Sequence, residues 1–235
     1  MIKHYLKVAF RNLMKYKMQS FVSIIGLAVG FTCFALSALW IRYEMTYDNF
    51  HKGSDRIYMV RAHYANEPGT SKFTPYPLME YLQDKMPEIE AATAFTPHHV
   101  KFRLEETEQE VGMIDADSVF MNFFDIQLLK GTVNFLKSDG QEVAITKEFA
   151  KRLFSKEEDA LGKEVEVGRR VCKIGAIVSG WSNHSNIPYN ILAPARHSPR
   201  WGSSNEQLFI RVRERTDIDA FRTKMSTVHI NDYSR

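Results

Sequence analysis

The sequence is poor in the residue patterns that cross-linking and catalysis need. Of 235 residues only two are cysteines, Cys33 and Cys172. Cys33 lies inside an apolar run and Cys172 in a distant strand-like segment, so no disulfide joins them and folding should not need one. There is no phosphate loop: Gly162-Lys163 is followed by Glu164, and the upstream glycine spacing of a Walker A motif is missing. Neither H-x-x-x-H nor C-x-x-C occurs. Among the histidines, His98 and His99 are adjacent and would point to opposite faces of a strand. His184 and His197 stand in polar stretches, and the histidines read as surface residues. Serines around 179–185 and 198–204 lack the G-x-S-x-G elbow. Glu105, Glu106, Glu108 and Glu110 read as a solvated hairpin rather than a catalytic carboxylate pair. These absences argue against an enzyme, a bound cofactor and a metal site. Any ATP-driven work would have to be powered by another chain.

Charge is absent from Phe21 to Ile41, FVSIIGLAVGFTCFALSALWI. At 1.5 Å per residue this run is roughly 31 Å long and matches the ~30 Å hydrocarbon core of a bilayer. It exceeds the h-region of a signal peptide, and no small-x-small cleavage site follows it. An uncleaved transmembrane helix is therefore expected over 21–41. Its polar members Ser23, Thr32 and Ser37 can bond back to helix carbonyls, and Trp40 and Tyr43 stand where an interfacial aromatic belt belongs.

Residues 1–20 hold Lys3, Lys7, Arg11, Lys15 and Lys17 and no acid. The chain has 31 basic and 28 acidic side chains. Residues 42–235 therefore keep 26 of the former and all 28 acids, a balance of −2, and the net +3 originates in the first twenty residues. A mildly acidic domain does not suggest nucleic acid. The positive-inside rule places 1–20 in the cytoplasm and 42–235 outside the membrane. Ile2, Tyr5, Leu6, Ala9 and Leu13 recur at helical spacing with the cations between them, which predicts a basic amphipathic helix suited to membrane lipid headgroups. Gly26 and Gly30 form a G-x-x-x-G pair, a flat strip where a helix of another chain can approach.

Residues 48–54 are polar and turn-rich. Strand character follows at 56–62, 100–104, 165–167, 171–178 and 208–212. Pro75 and Pro77 open a helix that Pro87 closes. Thr146 caps a helix through Phe154, and Thr216 with Asp219 would form a capping box for a last helix. The order is mixed, which predicts an α+β domain with helices packed on a mostly antiparallel sheet. Trp181, His184, Asn186 and Tyr189 make an aromatic and polar loop, a candidate partner contact.

Ala9-Phe10-Arg11-Asn12-Leu13 followed by SFVSIIGLAVG over 20–30 resembles the opening of MacB/FtsX-like ABC transporter permeases. Tyr47-Asp48-Asn49-Phe50-His51 with Asp55-Arg56-Ile57-Tyr58 resembles the neck of the form common in Bacteroidetes-type bacteria. Phe123-Phe124-Asp125-Ile126, Leu128-Leu129-Lys130-Gly131, the segment 144–154 and Leu161-Gly162-Lys163 are similar to the family's periplasmic core domain. Ser155 and Ala160 depart from its turn pattern. The resemblance implies a non-catalytic permease subunit, or its N-terminal part, since family members return to the membrane after this domain. It implies a separate cytoplasmic ABC ATPase subunit, other permease helices or a second permease protomer, and a periplasmic partner protein. A membrane-tethered sensor or binding module is the alternative.

Overall fold

The computed structural model describes residues 2–46, 53–65, 68–154, 156–181, 185 and 187–229. The chain divides into two compact units, residues 1–47 and 48–235.

The first unit is two helices. α1 (Ile2–Lys15) is followed, after a break at Tyr16, by α2 (Lys17–Glu44). The twenty-one apolar residues lie wholly within α2, which outruns them at both ends. At 28 residues it is about 42 Å long. None of its residues is buried. It meets the length and hydropathy required of a membrane span. Thr32 donates to the Ala28 carbonyl at 2.8 Å, so its hydroxyl is satisfied within the helix. The side chains of Lys7, Arg11, Lys15 and Lys17 are exposed.

The second unit begins with β1 (Ile57–Val60), α3 (Pro77–Lys85) and the long β2 (Ile89–Leu104). Then come β3 (Thr107–Ala116), α4 (Ser118–Phe123), β4 (Leu128–Gly131), β5 (Glu142–Thr146) and α5 (Lys147–Leu153). The last elements are β6 (Glu164–Val167), β7 (Arg170–Val178), β8 (Ile191–Pro194), β9 (Gln207–Val212) and α6 (Ile218–Ser226). The nine strands form one sheet in the order β1-β9-β2-β3-β8-β5-β7-β4, with β6 bridging β2 and β7. Among the described residues only β3–β8 and β5–β7 are parallel pairs. The domain is thus the α+β, mostly antiparallel arrangement expected.

β2 does two jobs. Its first half pairs with β9, and its second half pairs with β3 and β6. The pairings β2–β3–β8–β5–β7–β6–β2 close into a six-stranded ring. One buried cluster draws on all six strands, including Phe102, Val111, Ile145, Val165, Ile174 and Ile191, with Phe149 and Ala150 of α5 packed into it. A ring this small has an interior only wide enough for side chains. The open part, β1-β9-β2, has Ala92, Ala94, Leu208 and Ile210 under α3 and α6 on one face. On the other face Phe95 meets Phe120 of α4 and Phe124, the residue after it, with Phe123 in the same cluster.

Several local expectations hold. Thr146 Oγ1 accepts from the Phe149 N–H at 3.3 Å, and Pro77 stands in the first turn of α3. Glu105 and Glu106 form the β2–β3 turn, and Glu108 bridges Lys101 and Arg103 at 2.9 and 2.7 Å. Two expectations are corrected. The cap of α6 is Asp217, whose carboxylate accepts from the N–H groups of Asp219 and Ala220; Thr216 instead donates to the Arg213 carbonyl. The strand read at 100–104 begins at Ile89, because Ala92 to Phe95 are buried in succession and show no alternation to read.

Gly131 explains part of the Leu-Leu-Lys-Gly segment. Its φ is +80°, and a Cβ there would run into the Gly175 carbonyl and stand 2.8 Å from the Ala176 Cα. Gly131→Ala should therefore destabilise the domain by about 2 kcal/mol in a denaturant titration. An unchanged midpoint would show that β4 can lift off β7 without cost.

Candidate functional site

An apolar groove of about 520 Å³ lies on the face of the open sheet that α4 only partly covers. Its floor is Ile57 and Met59 of β1 with Phe209 of β9. These alternate residues point away from α3 and α6, which is why the same strands place Tyr58, Val60, Leu208 and Ile210 in or against the opposite cluster. One wall is Phe124 and Trp181, whose rings lie 5.0 Å apart, edge to face. Phe124 also meets Phe209 at 5.9 Å. The far side is Ile187 and Pro188. This segment lies close on β3 because residue 112 is glycine: a Cβ there would stand 2.5 Å from the Pro188 carbonyl oxygen. Asn190 donates to the Gly112 carbonyl at 2.8 Å and completes the contact. Lys72, His98 and His99 stand at the groove, and none of its lining residues among those described is an acid.

Trp181 and Tyr189, expected together in a partner-contact loop, do come together, with rings 5.0 Å apart at 89°. They differ in exposure. Trp181 is half-buried and lines the groove, whereas Tyr189 is buried in the core and donates to the Ser179 carbonyl at 3.0 Å. Burial pushes the Tyr189 phenol pKa upward. His184 and Asn186 lie outside the described residues. Around Gly26 and Gly30 a Cβ would meet nothing within 4 Å, so the strip is open on α2. Lys3 lies in α1 by its backbone.

His197 corrects the surface-histidine reading. It is half-buried, with Nδ1 3.1 Å from Glu206 Oε2 and Nε2 3.3 Å from Asp117 Oδ2. Its ring stacks on Tyr76 at 3.9 Å and 11°. Burial alone would lower its pKa, but hydrogen bonds to Asp117 and Glu206 outweigh it and hold the imidazole at about 9. Asp117 also caps α4 by accepting the Phe120 N–H at 2.8 Å. Nothing in the spacing of residues 117, 197 and 206 signals this cluster. His98 is half-buried as well, 3.4 Å from Asp115. No group of three or more His, Cys, Asp or Glu side chains is placed so that it could hold a metal ion among the described residues.

A profile of the MacB-like periplasmic core domain matches residues 20–228. No curated protein sequence matches significantly. Among solved structures, the fold is similar to a domain described as that of a permease protein from Porphyromonas gingivalis. The TM-score is 0.61 and the identity 21%, covering 74% of this chain and 82% of that one. It is also similar to the periplasmic region of MacB from Actinobacillus actinomycetemcomitans (TM-score 0.52, 12% identity, 74% and 81% covered). A third is the extracellular domain of the noncanonical ABC-type transporter YknZ from Gram-positive bacteria (TM-score 0.51, 14% identity, 70% and 86% covered). At these identities the structures share a fold, while the profile spans most of the chain. With one apolar helix of membrane-crossing length ahead of the domain, the chain belongs to the MacB-like periplasmic core domain family of ABC transporter permeases.

Proposed function

We propose that the chain is a non-catalytic permease element anchored in the inner membrane. Its N-terminus faces the cytoplasm, and its periplasmic domain is moved by a separate ATPase. The observation that carries this is a 28-residue apolar helix with no buried residue, joined to a domain of the MacB-like family. The five cations of residues 1–20 favour the cytoplasmic side for α1, where anionic headgroups would hold them. The open Gly26 and Gly30 strip suits a further permease helix or a second protomer. Trp181, with His184 and Asn186 of the same loop, is the proposed contact for a periplasmic partner. Work done this way needs rigid elements and interfaces rather than a reactive side chain.

Two experiments test it. With the tagged chain expressed alongside a neighbouring ABC ATPase gene, the ATPase should co-purify, and the purified chain alone should hydrolyse no ATP. Failure of capture together with hydrolysis by the chain alone would overturn the proposal. Orientation is read by thiol labelling. Cys172 is a silent background, since burial pushes its thiol up to about 11. In a Cys33→Ser background, Glu106→Cys at the exposed hairpin should react with an impermeant maleimide once the outer membrane is permeabilised. Lys7→Cys should react only after the inner membrane is opened. The reverse pattern would place the domain in the cytosol.

A further inference from the structure

We propose that one end of the six-stranded ring binds a small phosphomonoester, with the phosphate at an arginine rim and a compact apolar body on the floor. At this end β5, β7 and the ring half of β2 begin, and β3, β6 and β8 finish. All six strands line a hollow of about 290 Å³ there. Small-molecule sites often occupy the mouths of barrels, and this volume stands at their lower limit of ~300 Å³, which restricts the ligand to a compact one. The floor is Met113, Val143, Val167, Cys172 and Ala193, all packed in or against the ring's buried cluster. None of the lining residues borders in sequence a segment outside the described ones.

The rim is cationic. Arg169 and Arg170 come from the tight turn between β6 and β7, in which Val167 pairs with Arg170. Gly168 takes a φ of +65° in that turn and donates its N–H to the Lys101 carbonyl at 2.7 Å, which ties the turn to β2. Arg170 lies across residue 140, where a Cβ would stand 3.2 Å from its Nη1. Arg196 reaches the same corner from beyond β8 and donates to the Asp139 carbonyl at 2.8 Å and to the Asp139 carboxylate. Its charge is therefore already answered. Arg169 and Arg170 are exposed, and neither has a carboxylate within ion-pair distance among the described residues. Asp115 is the acid among the described lining residues, and it stands 3.4 Å from His98 Nε2. Two unanswered guanidinium forks against one carboxylate select an anion. A dianionic phosphate answers both forks, where a monocarboxylate leaves one over. This inference does not rest on the permease reading. Its failure would leave the ATPase capture and labelling results untouched.

Calorimetric titration tests it, with the full chain in nanodiscs of zwitterionic lipid and phenyl phosphate, benzoate and inorganic phosphate as probes. Phenyl phosphate should bind saturably, one per chain and about tenfold more tightly than either of the others, since it alone joins the dianion to an apolar body. Arg169→Ala and Arg170→Ala should each weaken it about tenfold, and the double variant should abolish saturation. Both side chains are exposed, so these variants should keep the wild-type melting temperature. Arg222→Ala removes the same charge from α6 and should leave the affinity within about twofold. Phosphatidic acid added to the nanodisc bilayer separates two sources of the phosphomonoester. Competition assigns the site to a lipid head and unchanged affinity to a soluble ligand, and either outcome supports the phosphate chemistry. No saturable binding at millimolar phenyl phosphate, equal affinity for benzoate, full affinity in the double variant, or a loss in Arg222→Ala equal to that in Arg170→Ala would each overturn the proposal.

Discussion

Alanine in place of His197 should cost the domain about 3 kcal/mol near neutral pH and flatten its stability profile on the alkaline side. In the native protein both ring nitrogens face carboxylates, Nδ1 toward Glu206 and Nε2 toward Asp117, so the ring is an imidazolium with both N–H groups donating. Its pKa is raised from 6.5 to about 9. A raised folded-state pKa adds stability that is fully present below the unfolded value and is lost as pH climbs through the folded value. The loss therefore falls between pH 6.5 and about 9. At roughly 1.4 kcal/mol per pKa unit it amounts to about 3 kcal/mol. Asp117 adds the opposite limb. Burial would raise its pKa, but the hydrogen bonds from His197 and the Phe120 N–H hold it below 3.8. That contribution is present above the unfolded value and disappears as pH falls through the depressed one. Without the imidazolium, Asp117 and the 7%-exposed Glu206 side chain both lose their counter-charge, which makes removing this partner costly. Denaturant midpoints of wild type and His197→Ala from pH 5 to 10 read the effect. Parallel curves would show that the ring contributes packing on Tyr76 and no charge.

This cluster also marks the limit of what the sequence reveals. Elements whose signal is local were legible. The lipid-crossing run needs only hydropathy, the α5 cap only Thr146 before an apolar-periodic stretch, and α3 only its flanking prolines. The β2–β3 hairpin shows in the acids at its tip. Features that depend on tertiary pairing were not legible. Residues 117, 197 and 206 meet because the β8–β9 connection returns over the start of α4 and the approach to α3, and no spacing rule encodes that return. The six-stranded ring depends on the four-residue β6 reaching β2 through two residue pairs, Phe102 with Val167 and Arg103 with Glu166. The groove was half legible. Trp181 stands out in the sequence as part of an aromatic and polar loop, a candidate partner contact, but Ile57, Met59 and Phe209 show as a floor only once β1 and β9 are paired.

Phe120→Ala should be the most damaging single truncation, at about 3–5 kcal/mol. Phe120 is fully buried at the centre of an aromatic set. Its ring lies 4.8 Å from Phe95, 5.1 Å from Phe124 and 5.8 Å from Trp181. α4 has six residues, too few to be stable on helix propensity, so its position on the sheet rests on this packing and on the Asp117 cap. Losing the ring removes apolar burial, opens a cavity between α4 and β2, and frees Phe124 and Trp181 to shift. The groove should therefore deform along with the loss of stability, and Trp181 emission in the Trp40→Phe, Trp201→Phe background should move to the red in the folded state. Phe120→Leu keeps most of the volume and should cost under about 1.5 kcal/mol with the emission preserved. Phe102→Ala supplies the contrast, because Phe102 lies in the other cluster, 5.0 Å from Phe149. If β2 binds the ring and the open sheet into one cooperative unit, the two truncations should add to within about 0.5 kcal/mol and unfold in a single transition. Two separate transitions in Phe102→Ala would show instead that the ring melts by itself and that β2 does not couple the two halves.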